Sequence, residues 1–115
     1  LHSGESGIVF TVTGGGAMHM NDAFGHHKML HCTYQHHEQA CAMAAEAYAR
    51  LGNKMAAVCV TTGPGATNAI TGVLGAWMDS IPMLVFSGQA RYATTVSASG
   101  LPLRSWECRN AILFR

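Results

Sequence analysis

The sequence predicts an α/β fold, a parallel sheet flanked by helices on both faces. Three observations lead there. The strand-like runs are apolar throughout rather than alternating, as in Val58-Cys59-Val60, the pattern of strands covered on both sides. Helical patterns separate these runs one by one, which brings successive strands parallel. Charged residues make up only 11% of the chain against 49% apolar, well below the roughly 25% charge of ordinary domains. Much of the surface is therefore expected to be core or to be covered by a partner.

Taken in order, Ile8–Val12 reads as the first strand, ended by Gly14-Gly15-Gly16. Ala17 to Phe24 is expected to be helical, with Met18, Met20 and Phe24 among its apolar positions. Met29–Tyr34 is the second strand. Gln39–Leu51 is the second helix, rich in alanine and stopped by Gly52-Asn53 in the left-handed conformation. Ala56–Thr61 is the third strand, Gly65–Met78 the third helix and Pro82–Ser87 the fourth strand. Tyr92 to Gly100, rich in Thr, Ser and Ala, reads as a loop.

At 115 residues the chain has room for one domain with a modest core. Its net charge of +1 without a basic run argues against nucleic acid as a partner. The longest apolar stretches run to about six residues, too short to span a membrane. The four cysteines, Cys32, Cys41, Cys59 and Cys108, form no CxxC pair. Free thiols inside apolar elements behave as small hydrophobes, and a reducing cytoplasm fits them. Leu1-His2-Ser3-Gly4-Glu5 lacks an initiator methionine and a signal-peptide layout, as expected of a fragment.

Glu38 is the most informative residue. It is the only acid between Asp22 and Glu46, and it stands where the second strand gives way to the second helix. A carboxylate there faces the crevice in which such folds bind ligands. The third strand ends in Thr61-Thr62-Gly63-Pro64-Gly65-Ala66-Thr67-Asn68. No Lys-Ser or Lys-Thr follows, so this is not a P-loop, and Asn68 stands where the dinucleotide fingerprint needs glycine. It reads either as a generic turn or as a helix N-terminus whose amide groups receive a polar or anionic group. Histidines 26, 27, 31, 36 and 37 crowd together, but lack the partners of a closed metal site. Packing or solvated roles suit them better. No G-x-S-x-G elbow is present.

Two helices are rich in small residues, some of them three and four apart: the second has alanine at 40, 42, 44, 45, 47 and 49, and the third has Gly65, Ala66, Ala69, Gly72, Gly75 and Ala76. Such faces allow close backbone approach. They suit tight packing on the chain's own sheet, contact with another subunit, or a mixture of both. The mixture is favoured, and it leaves these faces partly uncovered in the isolated chain.

The motifs Gly14-Gly15-Gly16-Ala17, His37-Glu38-Gln39-Ala40, Ala47-Tyr48-Ala49-Arg50, Thr61 to Asn68, Asp79-Ser80-Ile81-Pro82-Met83 and Ser87-Gly88-Gln89 occur in a telling order and spacing. Residues 8–104 thereby resemble the N-terminal, pyrimidine-binding domain of thiamine-diphosphate enzymes of the acetolactate synthase type. The resemblance implies the thiamine-diphosphate-binding fold, again a parallel sheet between helices. Its domain organisation is residues 1–7 as a start outside the family, 8–104 as a pyrimidine domain lacking its first helix, and 105–115 as a divergent tail.

The resemblance also implies roles. Glu38 would hydrogen-bond N1′ of the cofactor's aminopyrimidine and favour the imino form that assists loss of the C2 proton. That role needs a carboxyl that holds a proton at neutral pH, which burial in apolar surroundings favours. An acid merely seated at a helix N-terminus is instead favoured as the carboxylate. Thr62, Gly63 and Asn68 would lie by the pyrimidine or the subunit interface. Gly15, Gly16 and Ala17 would line the substrate space with His37, and Gln89 would face the reaction centre as a second catalytic residue. The implied parent is a transferase or lyase that decarboxylates a 2-oxo acid and joins it to an acceptor, with pyruvate to acetolactate as the default. Its cofactors would be thiamine diphosphate, Mg2+ held by a diphosphate-binding domain outside this chain, and in some members FAD. Its partner would be a second subunit, in a homodimer or tetramer, that completes the cofactor site. This chain then holds half a site and is expected to be inactive alone. Two alternatives stand beside this: a non-catalytic domain keeping the fold as an interaction module, and a small metal- or nucleotide-binding domain.

Overall fold

The computed structural model describes residues 6–90 and one further short strand, Ile112–Phe114. The expected loop at Tyr92 to Gly100 lies outside the described residues. Elements follow as β1 (Gly7–Thr11), a 3-10 turn (Gly15–Ala17), α1 (Met18–His26), β2 (Leu30–Tyr34), α2 (Glu38–Gly52), β3 (Ala56–Val60), α3 (Pro64–Met78), β4 (Met83–Ser87) and β5 (Ile112–Phe114). The sheet order is β2-β1-β3-β4-β5. The first four strands in that order are all parallel, as their unbroken apolar character requires. At the edge, β5 runs antiparallel along β4. It falls in the stretch read from sequence only as a divergent tail.

This order explains why the helices divide between two faces. The step from β1 to β2 runs one way along the sheet, whereas β2 to β3 and β3 to β4 run the other. Right-handed crossovers place helices of opposite steps on opposite faces. Accordingly α1 contributes to one core, where Val9 and Cys59 meet Ala17, Met20, Phe24 and Phe86. Phe24 and Phe86 stack obliquely there, with ring centroids 5.4 Å apart. On the other face Phe10, Val58, Val60, Met83 and Val85 pack beneath Cys41, Ala42 and Ala45 of α2 and Ala66, Ala69 and Ala76 of α3. Among the described residues the one buried polar side chain, Thr11, is satisfied by donating to the Cys59 carbonyl across 2.8 Å.

Local chemistry sets the element ends. Asn53, with φ 49° and ψ 35°, takes the left-handed position that ends α2; Gly52 is still helical, one residue later than the sequence suggests. Pro64 opens α3, where its missing N–H costs nothing. Gly63 precedes it with φ +61°, a conformation glycine adopts without strain.

The small helix faces are covered in part by the chain itself. Ala42, Ala45, Ala49, Ala69, Gly72 and Ala76 are buried within the chain. A methyl on Gly72 would stand 2.6 Å from Ala42 Cβ and 3.1 Å from the Gln39 carbonyl oxygen, so α2 and α3 touch almost backbone to backbone. Those small residues serve that internal contact, whereas Ala47 is exposed and Ala40, Ala44 and Gly75 are half-buried. What α3 leaves exposed are large residues, Ile70, Leu74 and Trp77, beside Met43 of α2. Where the two helices end, Arg50 binds Glu46 at 2.6 Å and also the Asp79 carboxylate.

Candidate functional site

In a doubly wound sheet the ligand crevice opens at the carboxyl ends of the strands where connections leave in opposite directions. Here that point lies between β1 and β3. The loops after both strands converge there, and β4 joins them. Thr61, the first residue after β3, is the pivot. Its Oγ1 accepts the Gly16 N–H at 3.1 Å. Methyls added at Gly14, Gly16 or Gly65 would come within 2.5 Å, 3.1 Å and 2.6 Å of its side-chain atoms. Thr62 packs its methyl on Gly16, where an added Cβ would lie 2.7 Å away. Beyond β4, a Cβ on Gly88 would stand 2.4 Å from the Gly16 carbonyl oxygen, and the Gly88 N–H donates to the Val60 carbonyl at 2.9 Å. Three loops are thus locked by glycines too close to admit side chains.

Glu38 enters this corner from the side. Gln35 extends the ladder past β2 by donating to the Thr11 carbonyl at 2.9 Å, and His37 is extended, so Glu38 becomes the first residue of α2. Its carboxyl is half-buried. Asn68, in α3, donates from Nδ2 to Glu38 Oε2 across 2.6 Å. The same Nδ2 lies 3.5 Å from His37 Nε2, the outer limit of a hydrogen bond. The second oxygen, Oε1, lies 3.4 Å from where a Gly65 methyl would be. One turn further, the buried Cys41 thiol is pushed up to about 11, first by burial and then by the charge of Glu38. It stays a neutral thiol beside the acid.

The structure brings Glu38, Asn68, His37, Gly16, Thr62 and Gly63 to this one corner. Gly15 is open, with nothing within 4 Å of an added Cβ. Gln89 is exposed just past Gly88. Ala17 stands apart, since its side chain is buried in the core beneath α1. Thr61, Gly65 and Gly88 are the structural residues that sequence reasoning did not single out. The available signal was three glycines, at 14, 16 and 65, that find their reason in one shared neighbour. Among the described residues no group of three His, Cys, Asp or Glu could hold a metal ion, and the crowded histidines do not converge. No helix of the described residues is long and apolar enough to cross a membrane. An apolar groove of about 190 Å3, lined by Val9, Phe24, Leu30, Ala57, Leu84 and Phe86, lies on the α1 face, away from Glu38.

The sequence profile described as "Thiamine pyrophosphate enzyme, N-terminal TPP binding domain" matches residues 1–104. The chain belongs to this family. As a member of the thiamine pyrophosphate enzymes it is 43% identical over 82 residues to the acetolactate synthase large subunit of Lactococcus lactis subsp. lactis (strain IL1403), a stretch covering 71% of this chain and 14% of that protein. It is 47% identical over 81 residues to the acetolactate synthase large subunit of Buchnera aphidicola subsp. Schizaphis graminum (strain Sg), covering 70% and 14%. It is 44% identical over 81 residues to the acetolactate synthase isozyme 3 large subunit of Escherichia coli (strain K12), with the same coverage. The matched part is thus about 14% of the length of these relatives.

The corner fits the pyrimidine end of that family's cofactor. An acid with one oxygen held by an amide and the other beside a glycine suits a flat heterocycle that needs a single hydrogen bond. A side chain at Gly65 would fill the space next to Oε1.

Proposed function

We propose that this chain is the pyrimidine-binding part of a thiamine-diphosphate enzyme that decarboxylates a 2-oxo acid and joins the product to an acceptor carbonyl, as an acetolactate synthase does. The observation that carries this reading is Glu38 at the strand-end crevice, with Oε2 held by Asn68 and Oε1 beside Gly65. Bound there, the cofactor supplies the carbanion chemistry. Glu38 would hold and release a proton at Oε1 towards the ring nitrogen. Thr62 and Gly63 would help to hold the ring, and Gly15 and Gly16 would leave room for the substrate. His37 orients the acid, and Gln89 faces the reacting atoms from beyond β4.

The half-buried state of Glu38 accords with a site that a second subunit completes. The exposed stripe of Ile70, Leu74 and Trp77 offers apolar surface to such a partner. Mg2+ and the diphosphate would be held by another domain, outside this chain. FAD, where the parent uses it, would likewise bind outside this chain. Pyruvate is the default substrate, and the cytoplasm the compartment.

The full polypeptide supplied with thiamine diphosphate, Mg2+ and pyruvate is expected to release CO2 and form acetolactate, whereas this chain alone is not. A full polypeptide that binds a partner subunit normally but turns over no 2-oxo acid would favour the non-catalytic interaction module instead.

A further inference from the structure

We propose that Asn68 is a positioning residue that acts through Glu38, a proposal that rests on the cofactor reading above. Its amide fixes Oε2 and so dedicates Oε1 to the proton exchange. At 2.6 Å the amide and the carboxyl oxygen are in direct hydrogen-bond contact. Both side chains reach outward from helix ends, so without this bond Glu38 would sample several rotamers and present either oxygen. With Oε2 engaged, Oε1 is left beside Gly65, without a hydrogen-bond partner among the described residues.

The choice of an amide follows from the chemistry. A Lys or Arg in this place would hold the acid as its carboxylate and oppose protonation. An Asp would repel it. A neutral amide can donate both to a carboxylate oxygen and to the carbonyl oxygen of the protonated acid. When the Oε1–H bond breaks and its proton passes to the ring nitrogen, the remaining carboxylate keeps the same bond to Asn68, and the return of the proton restores the acid. The hold survives both protonation states. The other groups facing this pair are His37, at 3.5 Å from the amide, and Cys41, which remains a thiol.

Two measurements test the proposal. In this chain, without cofactor, Glu38→Gln is expected to move the Asn68 side-chain amide signals in proton–nitrogen NMR, and His37→Ala to leave them in place. Movement on His37→Ala alone would assign the amide to His37 and overturn the proposal. In the full-length enzyme, Asn68→Ala is expected to slow C2-proton exchange of bound thiamine diphosphate about 10-fold, as for one lost charge-assisted bond, yet to add no further loss in Glu38→Gln. Equal slowing in both backgrounds would show that Asn68 acts on the cofactor directly. An exchange rate untouched by Glu38→Gln would instead defeat the underlying reading of Glu38, while the amide signals still report whether the two side chains are coupled.

Discussion

Asn68 and Glu38 lie thirty positions apart in the chain, yet their side chains meet at 2.6 Å. The bond ties α3 to the first residue of α2, the helices that follow the two strands flanking β1. A sheet that reverses its winding direction at β1 is what brings these helix starts together, and the strand-end crevice lies beneath them.

The tightest glycine contact gives the first expectation. An alanine at position 88 would drive its methyl to 2.4 Å from the Gly16 carbonyl oxygen. Backbone cannot yield as a flexible side chain can. Gly88→Ala should therefore cost about 2 kcal/mol or more, lowering Tm by roughly 8 °C or more. Gly15→Ala, which meets nothing within 4 Å, should change stability by less than about 0.5 kcal/mol. Thermal unfolding of the two variants side by side checks this, and a comparable loss in both would contradict it.

A second pair of glycines probes the helix contact. Gly72→Ala would place its methyl 2.6 Å from Ala42 Cβ, whereas at Gly75 the nearest atom, Glu46 Oε2, lies at 3.4 Å. Gly72→Ala should destabilise by about 1–3 kcal/mol through forced separation of α2 and α3. Gly75→Ala should be neutral or gain a few tenths through helix propensity. Urea midpoints for the two variants decide the matter.

Alkaline pH should weaken the fold through its buried thiols. Cys41 and Cys59 are each pushed up from an ordinary value of 9.0 to about 11, burial being the first cause in both. Between those values the unfolded chain gives up protons that the folded chain keeps. Their stabilising contribution is therefore full below about pH 9 and lost as pH rises towards 11. Urea midpoints should fall between about pH 8 and about pH 10.5, and the fall should be shallower in Cys41→Ala and Cys59→Ala. A slope unchanged by both substitutions would count against this origin.

The four parallel strands were legible because burial on both faces leaves them uniformly apolar, and that pattern is local. The ends of α2 were nearly so, since Asn53 and Gly52 both suit a left-handed turn and only the packed chain selects Asn53. The destination of the small helix faces was not legible. Alanine and glycine spacing reports that something comes close, but not whether it is the neighbouring helix or another subunit; Gly72 against Ala42 answers that in space. Strand β5 gave no signal, because three residues paired antiparallel to β4 owe their conformation to a distant partner. At the site, Glu38 stood out as a lone acid at a strand-to-helix junction. Thr61 did not, since its importance lies in touching Gly14, Gly16 and Gly65, all remote in sequence or across a turn.

The role of Glu38 is tested most directly by hydrogen–deuterium exchange at C2 of thiamine diphosphate bound to the full-length enzyme, read by quenched-flow proton NMR. Glu38→Gln is nearly isosteric, and the diphosphate is expected to be anchored outside this chain, so the fold and most cofactor affinity should persist. The amide cannot relay a proton to the ring nitrogen. Exchange is expected to slow by about 100-fold or more, the scale of lost general acid–base assistance. An exchange rate equal to that of the unmodified enzyme would mean that Glu38 is only a structural acid at the start of α2.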